Sequence, residues 1–452
     1  MNATRHPAPT NASGELRALL RLATPLVGGQ LALMGLNFTD TVMAGRVDAV
    51  ALGAVAIGNS VWSAVNLFVM GVMMAVPPSI AQLDGAERRE EVAPLARQAL
   101  WIALVLTAVA VLALTQMRPL LEAVGVQEDL IPTVVAYLRA MAWGVPAWGV
   151  YLTLRFVSEG LGATRPTLYF GLVGLAVNIP ANFALMFGKW GLPALGAEGC
   201  GYATALVWWV QAAAITVYIV RHRRYGDLGL FERFDLPNPR AAWDLLRVGL
   251  PIGVSIFLEA SLFATVALLM GSMGTVTVAG HQVALNFVAI TFMVPVGISM
   301  AIAVRVGNAV GRGSAAAVRR AAWVGVVTVM AVQVVSASLM LALPEPIARV
   351  YTADEGVIAI AVQLLFLGAI FQLSDGLQVS ASGALRGLKD TRVPMLLTLV
   401  AYWLLALPLG HLLAFRWQVG AEGMWIGLIA GLSLAALLLS VRLRRVLPAA
   451  TD

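Results

Sequence analysis

LATPLVGGQLALMGLNFTDTVMA, residues 22–44, contains a single charged residue, Asp40. As a helix this stretch is about 34 Å long, enough to cross a bilayer core of roughly 30 Å. A carboxylate in the middle of a membrane helix costs about 2.5–3.5 kcal/mol on insertion scales, so such residues are rare and mark ion or substrate paths. Two more acids are placed the same way. Glu259 lies between about Leu245 and Met270, and Asp375 between about Val357 and Leu385.

The rest of the chain has the same character. Its 452 residues are 60% hydrophobic and 12% charged, with a mean hydropathy of +0.84. Soluble domains carry about 25% charged residues, so a polytopic membrane bundle is expected instead of two or three soluble domains. The net charge of +6 does not point to nucleic acid, because the basic residues sit in short loops between apolar runs. The one cysteine, Cys200, excludes an internal disulfide and any cysteine-based metal cluster. The first fifteen residues, MNATRHPAPTNASGE, hold no apolar run and form no signal peptide, so the first apolar run is expected to stay as a helix.

Hydropathy predicts about twelve helices, near 22–44, 51–81, 95–117, 131–158, 164–188, 196–221, 243–270, 278–306, 316–343, 357–385, 391–415 and 420–441. Of the 30 lysines and arginines, 24 fall on the side of the termini. Five, Arg46, Arg118, Lys189, Arg349 and Arg416, fall on the other, and Arg139 lies within a span. Basic loops stay in the cytoplasm, so both termini are expected there. The longest hydrophilic stretch, RHRRYGDLGLFERFDLPNPRAAWD at 221–244, reads as a cytoplasmic linker. It would join an amino-terminal lobe, residues 1–220, to a carboxy-terminal lobe, residues 245–452, of six helices each.

The two halves repeat one another. LLRLATP at 19–25 matches LLRVGLP at 245–251, and RQALW at 97–101 matches RRAAW at 319–323. Gly160, Thr164 and Arg165 match Gly387, Thr391 and Arg392, and GAEG recurs at 196–199 and 420–423. With an even number of helices per half, the repeats share one orientation and are related by an axis along the membrane normal. A substrate site is then expected near mid-membrane. None of the three acids has an acidic counterpart in the other half. A residue the scaffold needs should recur, whereas a chemical task can need only one copy, so this asymmetry favours function.

Asp40 follows Asn37 at i+3, on one face of the first helix. Asn178 and Asn182 share a face of the fifth, with Pro180 between them. Proline inside a membrane helix frees a carbonyl, which is tolerated where the bundle or a cavity re-satisfies it. A carboxylate, two amides and a free carbonyl are hard oxygen donors, suited to a proton or sodium and not to soft metals. The same groups would also serve as a network bracing the helices, and the sequence leaves both readings open. In the tenth helix Gln372, Asp375, Gln378 and Ser382 recur at three- and four-residue steps, and Ser255 lies one turn before Glu259. Such carboxyls either exchange a proton or are held ionised by a nearby cation. Arg139 reads as a counter-charge or a snorkelling side chain. The lone histidines His281 and His411 read as packing residues.

There is no G-x-x-x-x-G-K-[ST] loop for ATP, no H-E-x-x-H and no G-x-S-x-G, so no enzymatic activity is expected. The loop LDGAERREEVAPLARQ, 83–98, also lacks the G-x-x-x-D-x-x-G-R-[RK] signature of a major-facilitator transporter.

Six segments then carry a resemblance. They are TDTVMAG at 39–45, NIPANFALMFGKWGLPALGAEGCG at 178–201, LEASLF at 258–263, AGHQVALNF at 279–287, RVGNAVGRG at 305–313 and QLSDGLQVSASGALRGLKDTRVP at 372–394. With them the chain resembles the multidrug and toxic compound extrusion transporters, of the NorM-like branch, over nearly its whole length. The resemblance implies an all-α membrane protein whose twelve helices form two parallel six-helix lobes around a V-shaped central cavity, in a bacterial inner membrane. It implies export of bulky, often cationic, drugs and dyes in exchange for Na+ or H+. Coupling would fall to Asp40, Glu259 and Asp375, which are also the positions for a Na+ ion, and the amino-lobe polar cluster to Asn178, Asn182 and Cys200. Ser60, Gln282 and Asp354 correspond to drug-contacting positions. No cofactor beyond the coupling ion is implied, and the partners are small molecules and membrane lipid, with the chain a monomer. Two other readings are a flippase for lipid-linked oligosaccharides, which needs a more cationic cavity, and a passive channel or receptor, which would not accumulate cargo against a gradient.

Overall fold

The computed structural model describes residues 11–447, and all regular structure among them is helical. In chain order the helices are α1 (Ala12–Val47), α2 (Ala49–Met73), α3 (Val76–Gly85), α4 (Val92–Thr115), α5 (Arg118–Ala123), α6 (Ile131–Ala142), α7 (Val145–Gly160) and α8 (Arg165–Phe187). They continue as α9 (Gly196–Arg221), α10 (Pro239–Gly271), α11 (Thr275–Gly311), α12 (Ala315–Ala342), α13 (Pro344–Tyr351), α14 (Glu355–Gly387), α15 (Arg392–Arg416) and α16 (Ala421–Val446). Several ends are set by local chemistry. Asp48 accepts from the Ala51 amide at 2.6 Å to open α2, and Asp354 accepts from Gly356 and Val357 to open α14. Gly188, with φ of 66°, closes α8 in the left-handed region.

Among the described residues eleven spans are long and apolar enough to cross a membrane, α2 and α3 together making one of them. The twelfth expected span, 131–158, is broken into α6 and α7 at Trp143–Gly144. Pro146 sits in the first turn of α7, where its missing N–H would be unpaired anyway. Both pieces are too short to count alone, and hydropathy did not register the break because Trp143 and Gly144 lie in an apolar run. A second correction concerns the start of α1, which begins at Ala12 inside the stretch read as a polar tail. The polar turn is kept helical by Glu15, whose two carboxylate oxygens each accept from Arg305 of α11 at 2.7 Å. The short helices α5 and α13, between spans, were not anticipated.

The chain divides into two compact units. One is residues 28–253, and the other joins residues 11–27 to 254–447. Each division falls inside a helix, two residues beyond an internal proline: Pro25 in α1 and Pro251 in α10. These prolines are the last residues of the LLRLATP and LLRVGLP copies, and each removes a backbone hydrogen bond from its helix.

The other repeated motifs mark close helix approaches. A Cβ on Gly160 would lie 2.8 Å from the Pro77 carbonyl, and one on Gly387 would lie 2.8 Å from the Ala303 carbonyl. In the two GAEG copies, Gly199 abuts the Leu185 carbonyl and Gly423 the Ala414 amide. In the carboxy unit Gly423, Gly427 and Gly431 form a small-residue face of α16 against α15, the arrangement that lets membrane helices pack closely. Its core holds Leu262, Phe371, Tyr402 and Trp425. In the amino unit Trp62, Trp148 and Trp208 form a ring cluster with centroids 4.8–6.4 Å apart.

The hydrophilic stretch 221–244 is fastened to α4. Arg97 pairs with Asp235 and donates to the Gly229 and Leu230 carbonyls, Trp101 donates to the Asp235 carbonyl at 2.9 Å, and Gln98 accepts from the Asn238 amide at 2.7 Å. The second copy of this motif does something else, placing Trp323 under the guanidinium of Arg444.

Candidate functional site

In the amino unit Asp40 is buried near the end of α1. Its Oδ1 accepts from Asn178 Nδ2 at 2.9 Å and Asn182 Nδ2 at 2.6 Å, both on α8. Its Oδ2 accepts a long bond, 3.4 Å, from the Thr204 hydroxyl of α9, and the buried Cys200 thiol lies one turn earlier near the carboxylate. The i, i+4 spacing that put both asparagines on one face of α8 thus brings both amides to one oxygen, braced by a 3.2 Å bond from Asn182 to Asn178. Tyr137 of α6 is fully buried beside Asp40 and Cys200, and its hydroxyl has no hydrogen-bond partner among the described residues. Asn37 is exposed and lies outside the cluster.

In the carboxy unit Glu259 of α10 interacts electrostatically with Asp375 and Arg386 of α14, with the Gln378 amide nearby on the same helix. Asp375 is buried, and no hydrogen bond reaches its carboxylate among the described residues. One turn earlier Gln372 donates to the Thr291 hydroxyl and the Val288 carbonyl of α11, and Gln333 of α12 donates to the Gln372 carbonyl at 2.8 Å. The side-chain oxygens of Gln333, Gln372 and Gln378 are buried without donors among the described residues. Phe371, on the turn before Asp375, packs against Phe263 and Trp425.

The structure therefore groups Asp40, Asn178, Asn182 and Cys200 in one unit and Glu259 with Asp375 in the other. Ser60 and Gln282 are exposed. Ser60 donates to the Ala56 carbonyl of its own helix, and Asp354 is the cap of α14. His281 is buried and accepts from Trp425 Nε1 at 3.1 Å, as a packing residue would. Thr204, Tyr137 and Gln333 were missed. Thr204 carried a weak signal, four residues after Cys200, whereas Tyr137 and Gln333 carry no charge to mark them. Among the described residues no three His, Cys, Asp or Glu side chains converge as a metal site. A bound sodium ion would need amide, hydroxyl or backbone oxygens as well.

The MatE family model matches the chain twice, over residues 25–184 and 251–412. The matches start at Pro25 and Pro251, the ends of the LLRLATP and LLRVGLP copies. The chain belongs to the MatE family. It is 43% identical over 433 residues to the probable multidrug resistance protein NorM of Xanthomonas axonopodis pv. citri, covering 96% of this chain and 94% of that one. It is 43% identical over 436 residues to the multidrug resistance protein PmpM of Pseudomonas aeruginosa, covering 95% and 91%. The fold is that of the Vibrio cholerae MATE transporter VcmN in the bent form, at a TM-score of 0.88 and 20% identity, with 97% and 98% of the chains covered. This MatE chain is therefore a multi-pass, NorM-like membrane transporter.

Proposed function

We propose that this protein exports bulky organic cations, drugs and dyes among them, in exchange for protons or sodium ions, from a bacterial inner membrane with both termini in the cytoplasm. Relatives named as multidrug resistance proteins support the cargo. The observation that carries the coupling is that every hydrogen-bond partner of Asp40 is neutral. An ionised carboxylate buried among neutral groups in a membrane span is expensive, so its charge must be balanced by something that comes and goes. With Oδ1 already holding two amide donors, Oδ2 is the oxygen with room for a proton. In the carboxy unit the neighbouring Glu259 and Asp375 would share a proton or a cation, with the donor-free glutamine oxygens at hand for the latter.

Coupling then works by reciprocal linkage: ion binding weakens drug binding, and drug binding weakens ion binding by the same factor. One elementary charge moving through 100 mV supplies about 2.3 kcal/mol. The test is ethidium transport in inverted vesicles, driven separately by a pH gradient and by a sodium gradient. The proposal expects at least one gradient to drive accumulation and the Asp40→Asn variant to lose it. Wild-type accumulation in that variant, or dye movement without either gradient, would sink the reading.

A further inference from the structure

The hydrophilic stretch between α9 and α10 presents large apolar side chains to its surroundings. Phe231, Phe234, Leu236 and Trp243 leave between 47% (Phe231) and 78% (Phe234) of their surface open. Their backbone is held in place. Gln98 of α4 donates to the Leu236 carbonyl at 3.1 Å and accepts from the Asn238 amide, and Trp101 donates to the Asp235 carbonyl, so this stretch is pinned along the end of α4. Exposed apolar groups clustered in this way mark a surface that something covers.

The face of α4 next to it points to the occupant. The ring of Phe234 meets that of Trp101 edge-on at 5.8 Å. Trp101, Val105, Val109 and Leu112 recur at three- and four-residue steps and share one face of α4, and the last three are exposed. Because α4 is a membrane span, lipid tails cover that face. Residues 98–115 of α4 carry no charge and are about 27 Å long as a helix, close to the thickness of a bilayer core. Trp101 therefore lies at the edge of that core, and Phe234 continues its apolar face to the level where headgroups begin.

Charge points to the same occupant. Between Arg221 and Arg247 the chain carries six arginines and four acids. Asp227 and Asp235 are paired with Arg89 and Arg97, which lie outside this stretch, so the six arginines stand against Glu232 and Asp244 alone. Arg233 adjoins Phe234, and Arg240 lies one turn before Trp243. Both are exposed and form no ion pair among the described residues. Aromatic rings beside arginines are the composition of a membrane–water interface, and basic segments flanking membrane spans attract anionic lipid.

We propose that residues 231–243 form an interfacial anchor for anionic phospholipid. Phe234, Leu236 and Trp243 enter the boundary of the acyl chains, and Arg233 and Arg240 hold headgroup phosphates, which the guanidinium fork matches. The ion pairs with Arg89 and Arg97 serve the anchor by neutralising two carboxylates that would repel those headgroups. The anchor needs only that the chain spans a membrane, and it does not depend on which acids couple the ion.

The test places the full chain in nanodiscs of phosphatidylcholine, with and without added phosphatidylglycerol, and follows amide hydrogen exchange of residues 231–243. Exchange is expected to slow in the anionic discs by roughly fivefold for each arginine that meets a headgroup, and to recover in high salt. The double variant Arg233→Gln/Arg240→Gln should exchange alike in both discs. Phe234→Ser/Leu236→Ser should lose part of the protection while keeping its thermal stability in detergent, since both side chains are exposed. Equal exchange of the wild type in the two kinds of disc would overturn the proposal. Slowing that follows protein concentration in lipid-free detergent would also overturn it, because a second copy of the chain would then cover this face.

Discussion

The two units handle membrane carboxylates in opposite ways. Of the three acids singled out, the amino unit holds Asp40, which receives hydrogen bonds from Asn178, Asn182 and Thr204. The carboxy unit holds the other two, and among the described residues no hydrogen bond reaches the carboxylate of Asp375. The first site has its donors in place around the carboxylate and room for one proton. The second is under-saturated, with several buried oxygens lacking donors, and its electrostatics must change with occupancy. Duplication produced two equivalent scaffolds, and the chemistry then diverged within them.

The largest test of this contrast is to remove one charge at a time. Asp40→Asn and the double variant Glu259→Gln/Asp375→Asn are each expected to reduce ion-driven ethidium accumulation about 5–150-fold, the range of a coupling free energy of 1–3 kcal/mol. If one of the two exports at wild-type rate, coupling belongs to the other unit and the division of labour fails.

How much of this was legible beforehand follows from the same contrast. The acids stood out because a charge in an apolar run is costly wherever it lies, and Asn178 and Asn182 because i, i+4 amides around Pro180 are unusual in such a run. The repeat motifs were legible because close helix approach tolerates only glycine at positions such as Gly160 and Gly387. The neighbours Thr204, Tyr137 and Gln333 were not. Each is a single uncharged hydroxyl or amide, and only the tertiary packing of α6, α9 and α12 brings it to the site. The break between α6 and α7 was hidden for a related reason, since hydropathy measures composition and not continuity.

A smaller effect is expected from trimming donors. Asn182→Ala removes the shorter of the two amide bonds to Asp40, a bond that favours the ionised carboxylate. The acid should then keep its proton to higher pH, and the midpoint of pH-driven efflux should rise by about one unit. Gln378→Ala should act with the same sign on the carboxy unit. Equal shifts from the two would contradict the claim that one site is saturated and the other is not, because the carboxy-unit acids have fewer donors to take over from a lost amide.

The smallest effect is expected at Cys200. A thiol is a weak donor, and Cys200→Ala leaves both amides on Asp40, so efflux should stay within about threefold of wild type. A larger loss, measured at equal expression, would mean that the thiol does more for the cluster than its weak hydrogen bond accounts for.

That residue has one more consequence. Cys200 is the only thiol in the chain, and it is buried beside Asp40. The wild-type protein therefore carries a built-in reporter at the amino-unit cluster, with no engineered label needed. The rate at which a small maleimide modifies it in native membranes measures how often water-soluble reagents enter that cluster. Following this rate as drug, proton and sodium are varied in turn would time the opening of the site without following transport at all.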